Sequence, residues 1–144
     1  MKSFYFLIVI TLFCSCTVKV SPIEYGTDNC DFCQMGIVDN KHASQLVTEK
    51  GKNYKFDAIE CMLSYINKNQ KDQSYSHILV SDLQNPGELI SANNAYFIVS
   101  QNIPSPMGAF LSATKTKQVA ESITTQHTGE IFSYKEILQR NMKH

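Results

Sequence analysis

The apolar positions of this chain fall into distinct patterns, and each predicts a different kind of segment. Residues 4–13 are an almost unbroken apolar run behind Met1-Lys2-Ser3. The run is too short to cross a bilayer comfortably, since a spanning helix needs about 20 apolar residues. One lysine before it and small residues after it predict a secretory leader. Further on, short β-prone runs alternate with turn residues. Residues 36–39 and 43–48 read as strands, 49–53 as a turn and 54–56 as the start of another strand, which makes a hairpin. The period then changes. Ala58, Ile59, Met62, Leu63 and Ile66 follow helical spacing, so 58–67 predicts an amphipathic helix, with Asp57 as N-cap and Glu60 closing a capping box.

A similar succession follows. Residues 76–81 predict a strand and Gln84-Asn85-Pro86-Gly87 a turn. Residues 94–99 are the strongest strand signal in the chain, and 100–108 form a loop with two prolines. Residues 114–125 predict a helix, weakened by its threonines. Thr128-Gly129-Glu130 turns into Ile131-Phe132, and Ser133 with Glu136 caps a last short helix. Helices and strands in this order predict an α+β fold, with a hint of two similar small halves divided near residues 84–89.

The end of the apolar run changes the picture. Ser15-Cys16 resembles a bacterial lipobox, in which a small residue precedes a cysteine that takes the lipid and becomes the new N-terminus. Cys14 does not fit, because bulky Phe13 precedes it. The expected organisation is therefore a lipoprotein signal peptide at 1–15, a lipid-anchored tether at 16–28 and a folded region at 29–144 with sub-halves of about 29–84 and 89–144. About 129 residues remain after cleavage, enough for one compact domain or two very small ones. Lysine plus arginine and aspartate plus glutamate number 13 each. There is no basic block or stripe, which argues against a nucleic-acid partner.

Cysteine arithmetic then narrows the chemistry. Of five cysteines, Cys14 leaves with the leader and Cys16 carries the lipid, so Cys30, Cys33 and Cys61 remain. An odd number in an exported chain does not make a simple disulfide framework. Cys30-Asp31-Phe32-Cys33-Gln34-Met35 places two thiols and a thioether within six residues. Soft sulfur donors of this kind select Cu(I). On an extended segment Cys33 and Met35 would point to one side, with Cys30 approaching from the preceding turn. Two other readings stand beside copper. A thioredoxin-like Cys30–Cys33 pair needs a helix after it, where strand residues are expected here. A structural zinc site needs two further ligands, for which Cys61 and scattered histidines are available.

Met107 sits in Ser105-Pro106-Met107-Gly108, stiffened by proline and turned by glycine. It reads as exposed by loop geometry, against the alternative of filling a core gap. Met62 lies on the apolar stripe of the first helix and reads as core. Cys61, on the flank of that stripe, reads as a small buried hydrophobe before a ligand. His42, His77, His127 and His144 are unclustered and read as surface or strand histidines, with His127, just before a turn, the nearest to an exception. No phosphate-binding glycine loop, serine nucleophile elbow or HExxH occurs, and no enzyme activity is expected.

Taken in order, the lipobox at Cys16, residues 30–36, Phe56-Asp57-Ala58-Ile59-Glu60-Cys61-Met62-Leu63-Ser64-Tyr65, Ala95-Tyr96-Phe97-Ile98-Val99-Ser100, Ser105-Pro106-Met107-Gly108 and Gly129-Glu130-Ile131-Phe132-Ser133-Tyr134 resemble the NosL family, the copper-binding lipoproteins that accompany nitrous oxide reductase. The resemblance implies an α+β fold of two ββαβ-like halves. It implies an extracytoplasmic Cu(I) metallochaperone, held to a bacterial membrane by its lipid, that passes copper to a copper enzyme such as nitrous oxide reductase or to its assembly machinery. It leaves a homodimer open. By the same resemblance Cys33, Met35 and Met107 are the copper ligands. Two positions depart from the family pattern: Asp31 stands where many members have His, and Gln34 where they have Gly. Cys30 either adds a ligand or guards the site.

Overall fold

The computed structural model describes residues 17–69 and 74–141. The leader, Cys14, Cys16 and His144 lie outside the described residues. The chain builds the same motif twice. In the first half, β1 (Ser44–Thr48) turns into β2 (Asn53–Phe56), helix α1 (Ile59–Lys68) follows, and β3 (Tyr75–Ser81) returns to pair with β1. In the second, β5 (Tyr96–Val99) pairs with β6 (Leu111–Thr114), helix α2 (Lys117–His127) follows, and β7 (Glu130–Ser133) returns to pair with β5. Helix α3 (Tyr134–Asn141) ends the described chain. In both halves the first strand is inside its sheet and every pairing is antiparallel, giving sheets ordered β2-β1-β3-β4, where β4 is Leu89–Ser91, and β6-β5-β7. The expected α+β fold of two similar halves is therefore observed.

The extra strand β4 (Leu89–Ser91) pairs with β3. The chain thus crosses to the second sheet in the single 3-10 turn Ala92–Asn94, a few residues later than the sequence pattern places the division. Leu-Ile-Ser is too short to show a strand period, which is why it reads as loop. β6 likewise carries no strand signal in the sequence. Its residues Leu-Ser-Ala-Thr are buried along the whole strand, so it lacks the apolar–polar alternation that marks a half-exposed strand. Residues 36–39 are not a strand; only an isolated bridge joins Gly36 to Asn29.

One apolar cluster serves both halves. Phe56, Ile59, Met62 and Leu63 of the first meet Phe97, Leu111, Ala113 and Ile137 of the second. Ile59, Met62, Leu63 and Ile66 form the buried stripe that helical spacing predicts. Polar bonds also cross the seam. Leu83 N donates to Ala113 O at 2.8 Å. His42 is buried, with Nδ1 2.8 Å from Asp39 Oδ2 and Nε2 3.1 Å from Ser112 Oγ. The two ring nitrogens thus bond to a carboxylate on one side and a hydroxyl on the other. Ser112 is fully buried, so this is a clip between halves and not a nucleophile site. The expectation of a surface or strand histidine is corrected at His42.

The helix caps divide. Ser133 and Glu136 form the expected capping box, with Ser133 N and Oγ both 2.7 Å from Glu136 Oε2. Thr116 caps α2 by accepting from Val119 N at 3.3 Å. At α1 the expectation fails. Ala58 is the N-cap residue, and Asp57 and Glu60 are engaged elsewhere. Residues 19–21 run against the first sheet: Lys19 O and Ser21 N bond to the Asn53 side chain at 3.1 and 3.0 Å, and Ser21 O accepts from Gln45 Nε2 at 2.8 Å. No helix among the described residues is long and apolar enough to cross a membrane.

The α2–β7 connection turns at Gly129, where φ is +134° and an added Cβ would lie 2.6 Å from Val99 O. Both the backbone conformation and the close approach require glycine. Gly129→Ala is expected to cost about 1–3 kcal/mol, seen as a lower denaturant midpoint at unchanged m-value. An unchanged midpoint would contradict this account of the turn.

Candidate metal centre

The loop that carries the sulfur motif is a tight turn fastened to β2, the edge strand of the first sheet. Cys30 N donates to Met35 O at 2.8 Å and Gln34 N to Cys30 O at 3.0 Å. Asp31 binds it to the sheet: its N–H donates to Lys55 O at 2.8 Å and its carboxylate accepts from Lys55 N at 2.7 Å. Asp31 thus acts as a backbone clip. Cys33 and Met35 are therefore not on an extended segment, and strand alternation is not what orients them. Gln34 between them holds a φ of +66°, a conformation glycine adopts freely.

This turn drives Cys30 into the core, where it is fully buried, and leaves Cys33 half-buried above the start of α1. There Asp57 and Cys61 meet it. The donor atoms of Cys30, Cys33, Asp57 and Cys61 all lie within 4.8 Å of one another. Cys33 Sγ donates to Asp57 Oδ1 at 3.5 Å, so the residue expected to cap the helix faces the thiols. All three cysteines are free thiols. By residue type and spacing Asp57 reads as a cap and Cys61 as packing. The signal that connects them is nearness in sequence: Asp57 lies just before the N-cap of α1 and Cys61 in its first turn.

The thiols are not equivalent. A hydrogen bond from Cys61 holds the Cys30 thiol well down, to about 6, against the effect of burial; backbone N–H groups of Cys33, Asp57 and Phe32 add to it. The same bond pushes Cys61 far up, as do its burial and the neighbouring Asp57. Burial also raises Cys33. The bond shared with Cys61 thus favours the first negative charge of the cluster on Cys30.

The second candidate element reaches the same end of α1 from the other half. Ser105 Oγ donates to Glu60 Oε1 and accepts from Phe110 N at 3.0 Å. Gly108 N closes the turn on Ser105 O at 3.0 Å. The Ser105–Gly108 loop is therefore latched to the residue next to Cys61, with Met107 42% exposed at its tip. Met35, on the cysteine loop, is 55% exposed. The structure gathers Cys30, Cys33, Asp57 and Cys61 into one cluster and leaves both methionines on the surface outside it. His42, His77 and His127 take no part in that cluster.

Two fused ββαβ halves with a buried thiol and carboxylate cluster at one helix end define a small α+β protein with a soft-metal-binding centre. The chain belongs to the NosL family, whose model matches residues 22–142. A relative, the copper-binding lipoprotein NosL of Stutzerimonas stutzeri, is 26% identical over 129 residues, covering 84% of this chain and 68% of that one. The crystal structure of the copper chaperone NosL from Shewanella denitrificans matches with a TM-score of 0.72 at 21% identity, over 83% of this chain and 96% of that one. This second likeness is one of fold.

Two outcomes are expected of the metal-free, reduced protein. Wild type shows one thiolate absorbance band at neutral pH, lost only as pH falls through about 6. Cys61→Ala removes the donor that holds the charge on Cys30, so the neutral-pH band disappears; equal bands in both proteins would contradict the shared-proton arrangement. Gln34→Gly relieves the left-handed backbone and should raise stability by about 1 kcal/mol, measured by denaturant unfolding, whereas a loss of stability would show that the Gln34 side chain outweighs its backbone cost.

Proposed function

We propose that this chain is a lipid-anchored, extracytoplasmic Cu(I) carrier and not an enzyme. In this reading Cys33, Met35 and Met107 hold the ion, Cys30 stands beside them, and Cys16 bears the lipid after removal of residues 1–15. The observation that carries it is the position of Cys33. It is half-buried, with buried thiols on its inner side and an exposed thioether two residues away on its own turn. Thiolate and thioether donors select Cu(I), which accepts low coordination. Partial exposure lets an incoming ligand attack before the old ones leave, as a carrier requires. The naming of the Stutzerimonas relative as a copper-binding lipoprotein supports both the metal and the anchor.

The acceptor is a copper enzyme or its assembly machinery, and the family resemblance favours nitrous oxide reductase. Anchoring raises the effective concentration of the carrier near a membrane-bound acceptor. With lipid on Cys16 and residues 19–21 bonded to the first sheet, only a short stretch separates the fold from the membrane surface.

A second reading is favoured by the thiolate at Cys30, which suits a thiol–disulfide protein using Cys30 and Cys33. Competition for Cu(I) against a chromophoric chelator separates the two. The carrier reading expects the reduced protein to compete and Cys33→Ser to lose more than about 100-fold in affinity, since even outer-shell changes cost 10–100-fold. It also expects Met35→Ala to weaken binding, a change that a redox pair tolerates. Failure of the wild type to compete, or wild-type affinity in Cys33→Ser, would overturn it.

A further inference from the structure

The ligand set just proposed leaves Cys61 and Asp57 without a role in metal binding, yet they are the most buried part of the cluster after Cys30. Cys61 is 1% and Asp57 3% exposed. The sulfurs of Cys30, Cys33 and Cys61 already lie within 4.8 Å of one another. A soft metal with bonds of about 2.3 Å sets sulfur–sulfur separations of roughly 3.8 Å, so the triad closes on an ion by movements of no more than about 1 Å. Among the three, the Cys30 sulfur sits where donors meet it. The Cys30 sulfur receives backbone N–H groups from Cys33, Asp57 and Phe32, and the first turn of α1 contributes the positive end of its helix dipole. Buried negative charge is costly unless such donors meet it.

The inner sulfurs and the outer thioethers differ sharply in exposure, and Cys33 is the residue between them. A thiolate has more than one lone pair and can bond two Cu(I) ions at once. We propose that Cys30, Cys33 and Cys61 form a second, inner Cu(I) position, bridged through the Cys33 sulfur to the outer position completed by Met35 and Met107. The proposal rests on the carrier reading above. The inner ion is shielded from solvent and the outer one is open to an acceptor. Each ligand sulfur that still carries a proton gives it to solvent as the copper–sulfur bond forms and takes one back when that bond breaks. Copper stays Cu(I) throughout, and no electrons move.

Copper per protein decides the matter, measured on the reduced full chain in detergent, loaded anaerobically with Cu(I) and freed of loose metal by gel filtration. Wild type is expected to retain two ions and to show a short copper–copper vector in X-ray absorption. Cys61→Ser should retain one and lose that vector. Met35→Leu combined with Met107→Leu should also retain one, and Cys33→Ser, which removes the bridging sulfur, should lose the vector. Wild type retaining one ion, unchanged in Cys61→Ser, would overturn the inner position and leave the carrier reading standing. Wild type retaining none would overturn both. Should Cys61→Ser fail to fold, Cys30→Ser replaces it, and the absence of a copper–copper vector in the unmutated, saturated protein would by itself refute the proposal.

Discussion

The site depends on the burial of the first turn of α1 at the seam between the two halves. Ile59, Met62 and Leu63 hold that turn in the shared core. With it buried, Asp57, Glu60 and Cys61 cannot face water, and each must find a partner within the protein. Cys61 and Asp57 find the thiols of the cysteine loop, and Glu60 finds Ser105 of the loop that carries Met107. Two loops separated by some seventy residues are thereby tied to one helical turn. The helix gives up its side-chain cap in exchange, since both residues of the expected capping box are spent on the loops.

The duplicated ββαβ topology explains why such a turn exists. Each half alone is one small antiparallel sheet with one or two helices, and the apolar interior is shared between them. Packed together, the halves bury α1 between them, with the His42–Ser112 bond and the Leu83–Ala113 bond crossing the seam. The same packing produces a gradient of exposure among soft donors. Cys30 and Cys61 lie in the interior, Cys33 at the boundary, and Met35 and Met107 on the surface.

Much of this was readable in the chain. Helical spacing at Ile59, Met62, Leu63 and Ile66 gave α1, the Ser133–Glu136 pair gave the start of α3, and the sulfur run at 30–35 pointed to a soft metal. What was missed has common physical causes. β6 is buried throughout and carries no period, and β4 is too short to have one. Asp57 is a good N-cap by type, and only tertiary contact with Cys33 diverts it. Cys61 is indistinguishable in sequence from a packing cysteine, because its partner Cys30 arrives from a turn whose shape depends on Gln34 adopting a left-handed backbone. His42 looked like a surface residue because Asp39 is near in sequence but Ser112 is not.

In the carrier reading, one Cu(I) ion joins a cysteine from the first half to a methionine from the second. X-ray absorption at the copper edge tests it most directly, on protein in which selenomethionine replaces methionine, loaded with Cu(I) to saturation. The account predicts both sulfur and selenium bonded to copper, with the selenium contribution reduced by Met107→Leu. Copper bonded to sulfur alone, or a selenium signal indifferent to Met107, would contradict it.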